Sequence, residues 1–269
     1  MIAEANAPAW EARFTKMRAS LPPSEQVRLD HFMEVIQQRG AISINMRPSV
    51  LRDFLQSEKY LNIYEWCAEQ ARLSGRVASQ IFAEKLGAYH VRRLAFDALL
   101  TRANQFRYGA LSIGGLGAQH YGQFCTALRT NFPERCPSLA YLWGDSLNSY
   151  TDPLGNIDEP ALCAGAADHI HRHLIGALKH GSHACKAAES EWAGLLFADS
   201  DIIEAVFIAD VSLAAVEEVR IAKADYQQLW DLAFADYGRK LKDAELALAF
   251  DFVKIRRAEV DARIRLTRC

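Results

Sequence analysis

Residues 201–221 decide the fold, and they read DIIEAVFIADVSLAAVEEVRI. The β-branched and aromatic run over 202–208 predicts a strand, although one carboxylate, Glu204, lies among its apolar residues. Residues 214–218 predict a single helical turn, and residues 219–221 begin another strand. Alternation along a half-buried edge strand would turn Glu204 towards solvent, whereas a strand that borders a cleft would hold the acid rigidly and aim it inward. The residues alone leave both alternatives open.

Composition favours one large domain, or a domain with an appendage, because the chain has 269 residues of which 50% are hydrophobic. Its 31 Lys and Arg residues are balanced by 33 Asp and Glu residues, which gives a net charge of -2. Such a charge produces no field that would gather nucleic acid or anionic lipid. We therefore expect neither a nucleic-acid partner nor a membrane partner.

The six cysteines are far apart and form no CxxC pair, which predicts reduced thiols rather than a zinc ribbon or a disulfide framework. The first residues, MIAEANAPAWEARF, include acids and lack the apolar run of a signal peptide, and no 18 consecutive residues are apolar. We therefore expect a cytoplasmic protein where it is made. Delivery into another cell stays open, because a type III export signal would leave no such mark.

The first 106 residues predict helices with one strand, at residues 42–46. In the helix expected from His90 to Phe106, the pattern turns Leu94 and Leu99 inward and Arg93 outward. The other helices are predicted over 8–38 with a break near residues 21–24, over 49–57, and over 60–86.

A glycine-rich segment, GGLG at residues 114–117, lies between two predicted strands at 108–113 and 121–128. It lacks the Lys and the Ser or Thr of a phosphate-binding loop, and also the full GxGxxG spacing. A flexible connection between two strands paired with each other is the favoured interpretation, because glycine adopts positive φ without steric cost.

The remaining pattern predicts a strand at 192–197 and helices at 159–179, 225–237 and 241–266. With six or seven strands and about eight helices, the predicted fold class is α+β with a mixed or antiparallel central sheet. A helical N-terminal part and a long C-terminal helix would flank that sheet.

Three histidines lie in the predicted helix at 159–179, and His169 and His173 are spaced i and i+4. This spacing places two imidazoles on one helical face, where they could bind zinc. No acid follows His169 in the HExxH manner, and a third ligand is not evident. Solvated or hydrogen-bonded histidines are the favoured interpretation, so no metal is expected.

Two polar residues, Asp145 and Ser146, follow the aromatic run in LAYLWGDSLNSY at residues 139–150. They could orient a ligand at the end of a strand, or they could simply cap the next segment.

The order of these segments resembles bacterial ADP-ribosyltransferase-like toxin and effector domains. The resemblance rests on four features of this chain: a strand ending in Arg47, the segments RYGALSIGG and HYGQFCTAL, the segment WGDSL, and the strand that contains Glu204. It implies an N-terminal helical segment at residues 1–40, a transferase-like core at 41–222 with inserted helices at 49–106, and C-terminal helices at 223–269.

The same resemblance implies a function, which is NAD-dependent transfer of ADP-ribose to a macromolecule, or hydrolysis of NAD, by a bacterial toxin or effector. Glu204 would be the catalytic acid, and NAD would be a substrate rather than a resident cofactor. Arg47 would contact a phosphate or ribose of NAD, while Tyr108, Gly109 and Ser146 would line the pocket.

The chain also departs from that family, because Ile202 occupies the position where arginine-modifying members carry a second acid or amide, and no Ser-Thr-Ser triplet is present. These departures favour an alternative function of another class, a non-catalytic protein-interaction module. In that alternative the helices outside the core would bind an immunity protein or a chaperone. A His-ligated metal hydrolase is the remaining alternative.

Overall fold

A computed structural model describes residues 2–136, 138–198, 201–235 and 240–269 of the chain. Within these residues, no helix is both long enough and apolar enough to cross a membrane. The helices are α1 (Ile2–Ala5), α2 (Ala7–Ala19), α3 (Pro23–Arg39), α4 (Pro48–Ser57), α5 (Ile63–Ser74), α6 (Ala78–Leu86), α7 (His90–Ala98), α8 (Ser146–Ser149), α9 (Glu159–Ala164), α10 (Arg172–Ala184), α11 (Trp192–Leu195), α12 (Lys223–Trp230) and α13 (Asp243–Val260).

The described residues form one sheet of eight strands, in the order β5-β4-β6-β2-β1-β3-β7-β8. Neighbouring strands are antiparallel except β7 and β8, which are parallel, so the predicted α+β class with a mixed sheet is confirmed. The strands are β1 (Ala41–Met46), β2 (Arg107–Ser112), β3 (Phe124–Leu128), β4 (Ser138–Leu142), β5 (Ala166–Ala167), β6 (Glu204–Ile208), β7 (Val216–Ile221) and β8 (Leu266–Arg268).

One face of the sheet is apolar and packs on helices. Ile42, Ile44 and Phe207 project from it into a large buried cluster that also holds side chains of α3, α4, α10 and α13. Each of the three predicted parts of the chain contributes to this cluster, from Trp10 to Leu266. Because successive side chains in a strand alternate between faces, the residues next to these project to the other face.

The second face of the sheet carries polar residues in its central strands. Glu204 of β6 and Ser43 of β1 both pair with Ala110 of β2, so the three lie level on the same face. Tyr108 projects from that face as well, since it is two residues from Ala110 on β2. The helices α7 and α8 and the glycine-rich segment are therefore the elements that cover this polar face.

The prediction that β2 and β3 pair with each other is wrong, because β1 lies between them and pairs with both. Their connection contains eleven residues, enough to pass over a strand, whereas a tight hairpin needs two to five. Gly115 and Gly117 adopt positive φ in this connection. The side-chain amide of Asn45 donates to the carbonyl oxygens of Leu116 and Gly122, at 2.9 Å each, and so ties the connection to β1.

The prediction of a strand at residues 192–197 is also wrong, since helix α11 occupies most of these residues. The Trp192 ring is buried, and its indole N–H donates to the carbonyl oxygen of Ala184 at 3.1 Å. A short apolar run of this kind does not distinguish a buried strand from a buried helix by periodicity. Packing of the Trp192 ring against α10 favours the helix over the strand at these residues.

The helices predicted at 90–106 and 241–266 are shorter than expected, and the first of them ends at Ala98. The helix predicted at 241–266 ends at Val260, Ala262 turns the chain with a φ of 55°, and the last residues become β8. The helix predicted at 225–237 corresponds to α12 followed by a π turn at Asp231–Ala235. Residues 236 and 237 of that prediction lie outside the described residues.

Candidate functional site

Glu204 is the first residue of β6, which lies between β4 and β2 in the interior of the sheet. Its relative exposure is 5%, so the interpretation that it lies on the solvated face of an edge strand is wrong. Alternation does place Glu204 on the polar face, but α8 and the loops around it remove that position from solvent. The carboxyl group is therefore buried and rigidly held.

The residues that hold Glu204 follow β4. The backbone N–H of Ser146 donates to Glu204 Oε2 at 2.8 Å. Asp145 caps α8, because its Oδ1 accepts from the backbone N–H groups of Leu147 at 2.9 Å and Asn148 at 2.8 Å. The capping interpretation of Asp145 is thus confirmed, and the cap places a second buried carboxylate beside Glu204.

The hydroxyl group of Tyr121 lies on the outer side of the Glu204 and Asp145 carboxyl groups. The Tyr121 hydroxyl donates to Asp145 Oδ2, while 44% of the tyrosine remains exposed. Tyr121 ends a single 3-10 turn, Gln119–Tyr121, and Gly122 then passes so close to Arg47 that a Cβ atom there would lie 2.5 Å from the Arg47 nitrogen. The end of the glycine-rich connection therefore closes the site against β1.

The pKa of Glu204 is raised from 4.5 to about 8, mainly by burial and then by the neighbouring negative charge of Asp145. The positive charge of Arg93 and the hydrogen bonds from Ser146 oppose this change. A carboxyl group in such an environment keeps its proton at neutral pH unless a cation approaches it. Carboxylic acids with a raised pKa near working pH are typical of acid–base sites in enzymes.

The buried guanidinium of Arg93 lies in the same site, although the sequence pattern predicted an outward side chain. Arg93 Nη1 lies 3.3 Å from Asp97 Oδ1, and its Cζ atom is 3.9 Å from the Tyr108 ring centroid. Leu94, which was predicted to point inward, is 45% exposed. Helix α7 therefore buries two charged side chains, Arg93 and Asp97, beside Phe96, and it leaves Leu94 exposed.

Asp97 holds this arrangement together. It is 2% exposed, and it accepts hydrogen bonds from the Tyr108 hydroxyl at 2.7 Å and from the Tyr64 hydroxyl at 2.5 Å. Buried charges are stable in proteins only when they are paired and hydrogen-bonded, and Asp97 meets both conditions.

The charges in this site favour a cationic group. Three carboxyl groups, those of Glu204, Asp145 and Asp97, are buried around one guanidinium, that of Arg93. Carboxyl groups thus outnumber cationic groups in this region. A positive charge that forms or binds here would be stabilised, and the low dielectric of the interior would strengthen the attraction.

The predicted site residues are only partly brought together. Tyr108 and Ser146 lie in the site with Glu204, as described above. Gly109 lies on the opposite face of the sheet, where a Cβ atom would be 2.7 Å from Ile42 Cγ2, so close packing of β2 on β1 accounts for this glycine.

Arg47 directly follows β1 and is exposed. Ser43 of β1 lies level with Glu204 of β6, and β2 lies between the two strands. Arg47 is four residues beyond Ser43, so ordinary strand spacing places its Cα atom about 16 Å from that of Glu204. The two residues are therefore not neighbours. They could contact the two ends of an extended ligand.

The histidine pair does not have the predicted geometry, because α10 begins at Arg172 and His169 lies before it. Burial lowers the pKa of His169 to about 4, which leaves the ring neutral at physiological pH. Within the part of the chain that the structure describes, no group of three His, Cys, Asp or Glu side chains could hold a metal ion.

An arginine-rich groove on the surface is a second candidate site, for an anionic ligand. A groove of about 350 Å³ is lined by three arginines, but each guanidinium lies within 4 Å of a carboxylate. The paired charges leave little net attraction for an anion. The ion pairs are Arg129 with Glu217 at 3.0 Å, Arg263 with Glu58 at 2.9 Å and Arg265 with Glu218 at 3.9 Å.

Sequence reasoning missed Arg93, Asp97 and Tyr121 as site residues. The i and i+4 spacing of Arg93 and Asp97 was a usable signal, since it indicates an ion pair on a helix, although not a buried one. No local signal marks Tyr121, because its role depends on where the glycine-rich connection lies in three dimensions.

Comparison with protein-family models and with curated proteins finds no match for this chain. The candidate site therefore stands on its geometry, and the resemblance to ADP-ribosyltransferase-like domains stays a prediction.

Proposed function

We propose that this protein cleaves the nicotinamide–ribose bond of NAD and passes the ADP-ribose to a macromolecule or to water, with Glu204 as the acidic group at the reacting ribose. One observation carries the proposal. Glu204 is a buried carboxyl group on an interior strand, held by the Ser146 N–H and placed beside a second carboxylate. In a bacterial cell this activity would be that of a toxin or effector, as the sequence resemblance implies.

Cleavage of the nicotinamide–ribose bond suits a site whose carboxyl groups favour positive charge. When the carbon–nitrogen bond breaks, nicotinamide leaves with the bonding electron pair, and the ribose carbon develops positive charge in an oxocarbenium-like state. A nearby carboxylate stabilises that charge and can accept a hydrogen bond from a ribose hydroxyl. Water or an acceptor side chain then bonds to the carbon and loses its proton.

The proposed reaction requires Glu204 in its ionised form. With a pKa of about 8, roughly one tenth of the free protein carries the Glu204 carboxylate at pH 7. The nicotinamide ring of NAD is itself cationic, and an opposite charge nearby favours the ionised acid. Substrate binding would therefore release a proton from Glu204 and create the reactive form.

The other proposed roles follow from position. Arg47 would hold a phosphate at the far end of the dinucleotide, because its planar guanidinium makes paired contacts with phosphate oxygens. Tyr108 and Ser146 would line the pocket. Tyr121 would have to leave Asp145 before a ribose could reach Glu204, since its hydroxyl now closes that side.

Release of nicotinamide from labelled NAD tests the proposal, with bacterial and eukaryotic lysates supplied as sources of acceptor. The wild type should release nicotinamide or label a macromolecule, and Glu204→Gln should lose at least about a hundredfold in rate while it keeps most of its NAD affinity. Glu134→Gln is the matched control, since Glu134 is exposed on a distant 3-10 turn. No turnover by the wild type, together with no NAD binding by calorimetry, would refute the proposal.

A second candidate, a protein-interaction module, is favoured by one surface feature. Leu246, Phe250 and Val253 of α13 are exposed at i, i+4 and i+7, the spacing of an apolar stripe that binds a partner. Phe250→Ser should abolish capture of a stoichiometric partner, and Glu204→Gln should leave it unchanged. Turnover that disappears in Glu204→Gln would reject this candidate as the main function.

A further inference from the structure

Arg93 is the only guanidinium in the described part of the site, and it is held on three sides. Its Cζ atom lies 3.9 Å from the Tyr108 ring centroid, and Nη1 lies 3.3 Å from Asp97 Oδ1. Nη2 lies 3.5 Å from Ser146 Oγ, and the N–H of that same serine donates to Glu204 at 2.8 Å. Ser146 therefore links the guanidinium to the carboxyl group.

We propose that Arg93 is a positioning residue for Glu204, and that Asp97, fixed by Tyr64 and Tyr108, keeps the guanidinium against the site. This inference deepens the proposed function and rests on it for its biological meaning. Its geometric basis is a charged side chain that is 8% exposed and occupies a helical position where an apolar residue would ordinarily pack. A planar, permanently charged group that stacks on an aromatic ring is suited to such a place.

The electrostatic consequence has a definite sign. A positive charge beside a carboxyl group favours its ionised form, so Arg93 opposes the effects of burial and of Asp145 on Glu204. Loss of that charge should leave Glu204 protonated to a higher pH. The charged and titratable groups that face Glu204 from the surrounding elements are Arg93 of α7, Tyr108 of β2, Tyr121 of the 3-10 turn, Asp145 before α8 and Tyr150 after it. Asp97 lies next to Arg93.

The chain offers a matched control one residue away. Arg92 is also a guanidinium on α7, but it lies 3.3 Å from the carbonyl oxygen of Leu147 and 3.3 Å from Asn148 Oδ1, on the outer side of α8. Arg92→Met and Arg93→Met remove the same charge from adjacent positions. Only the second variant should affect Glu204.

Direct titration of Glu204 by NMR tests this inference without any need for activity. The protein is labelled with ¹³C at the glutamate side-chain carboxyl carbon, and the Glu204 signal is assigned by its absence from Glu204→Gln. Arg93→Met should move the titration midpoint to higher pH by about one unit or more, a tenfold change in proton affinity, and Arg93→Lys should move it less. Arg92→Met should leave it in place.

An unchanged midpoint in folded Arg93→Met, or an equal shift in Arg92→Met, would overturn the inference. If Arg93→Met does not fold, Arg93→Lys and Tyr108→Phe decide the matter. The first replaces the planar guanidinium by an ammonium group, and the second removes the hydroxyl that fixes Asp97, so each should raise the midpoint by a smaller amount. Unchanged midpoints in both would overturn it. A shifted midpoint in a protein that never releases nicotinamide would leave this inference standing and would refute the proposed function alone.

Discussion

Glu204→Gln should stabilise the protein, and the gain should grow with pH. The folded wild type keeps the Glu204 proton up to a pKa of about 8, whereas the unfolded chain releases it near 4.5. Above pH 4.5 the unfolded state therefore gains free energy from ionisation that the folded state cannot gain, and stability falls until pH 8. Glutamine has nearly the same shape, can accept the Ser146 hydrogen bond through its carbonyl oxygen, and carries no such penalty.

The size of the effect follows from the two pKa values. Each pH unit between the folded and unfolded pKa values is worth about 1.4 kcal/mol of stability. We take the stability difference between the variant and the wild type in acid as the reference. Relative to it, the variant should gain about 1 kcal/mol at pH 5, about 3 kcal/mol at pH 7 and about 5 kcal/mol at pH 9. The charge interaction with Arg93 is already included in the folded-state pKa of Glu204, so it adds no separate contribution. The slope between pH 5 and pH 8 is the informative quantity.

Urea unfolding at pH 5, 7 and 9 measures this slope, because the free energy of unfolding falls linearly with denaturant. Other buried ionisable groups are common to both proteins and cancel in the difference. Glu134→Gln removes an exposed carboxylate and is the matched control in the same measurement. A flat difference for Glu204→Gln, or one that declines as pH rises, would refute the burial of an unfavourable carboxyl group at this position.

Three further outcomes follow from the structure. If Glu204 acts as a carboxylate, kcat/KM for nicotinamide release should rise about tenfold from pH 7 to pH 9, and a profile that falls over this range would contradict that role. Gly109→Ala should destabilise the protein by about 1 to 3 kcal/mol in thermal or urea unfolding, because the new Cβ would lie 2.7 Å from Ile42 Cγ2 and 2.8 Å from the Ser43 carbonyl oxygen. Asn62→Ala should cost about 1 kcal/mol in urea unfolding, since Asn62 caps α5 in a capping box, and a variant as stable as the wild type would contradict the cap.

The parts of the fold that could be predicted from sequence are those with a local signal. The strands around Ile42 and Phe207 were predicted because β-branched and aromatic residues cluster there. Glu204 was singled out because a lone carboxylate in such a run needs a partner or solvent. Neither inference required knowledge of distant contacts.

The parts that could not be predicted depend on packing between distant segments. Arg93 follows the same local pattern whether α7 turns its charges outward or inward, and contacts with distant residues such as Tyr108 and Ser146 stabilise the inward orientation. The position of β1 between β2 and β3 is likewise a property of the whole sheet. Helical periodicity reports which residues share a face, and it does not report which face is buried when both carry apolar residues.

The two faces of the sheet differ in the groups that they bury. The apolar face, with residues such as Ile42 and Phe207 against the helices, supplies the hydrophobic burial that stabilises the fold. On the other face, the buried Glu204 destabilises the protein at neutral pH, and a glutamine would fill the same space without that penalty. A group that costs stability where a neutral one would fit better is explained most simply by a task that needs its charge or its proton. That physical argument, which does not depend on any resemblance, makes Glu204 the centre of the proposed site.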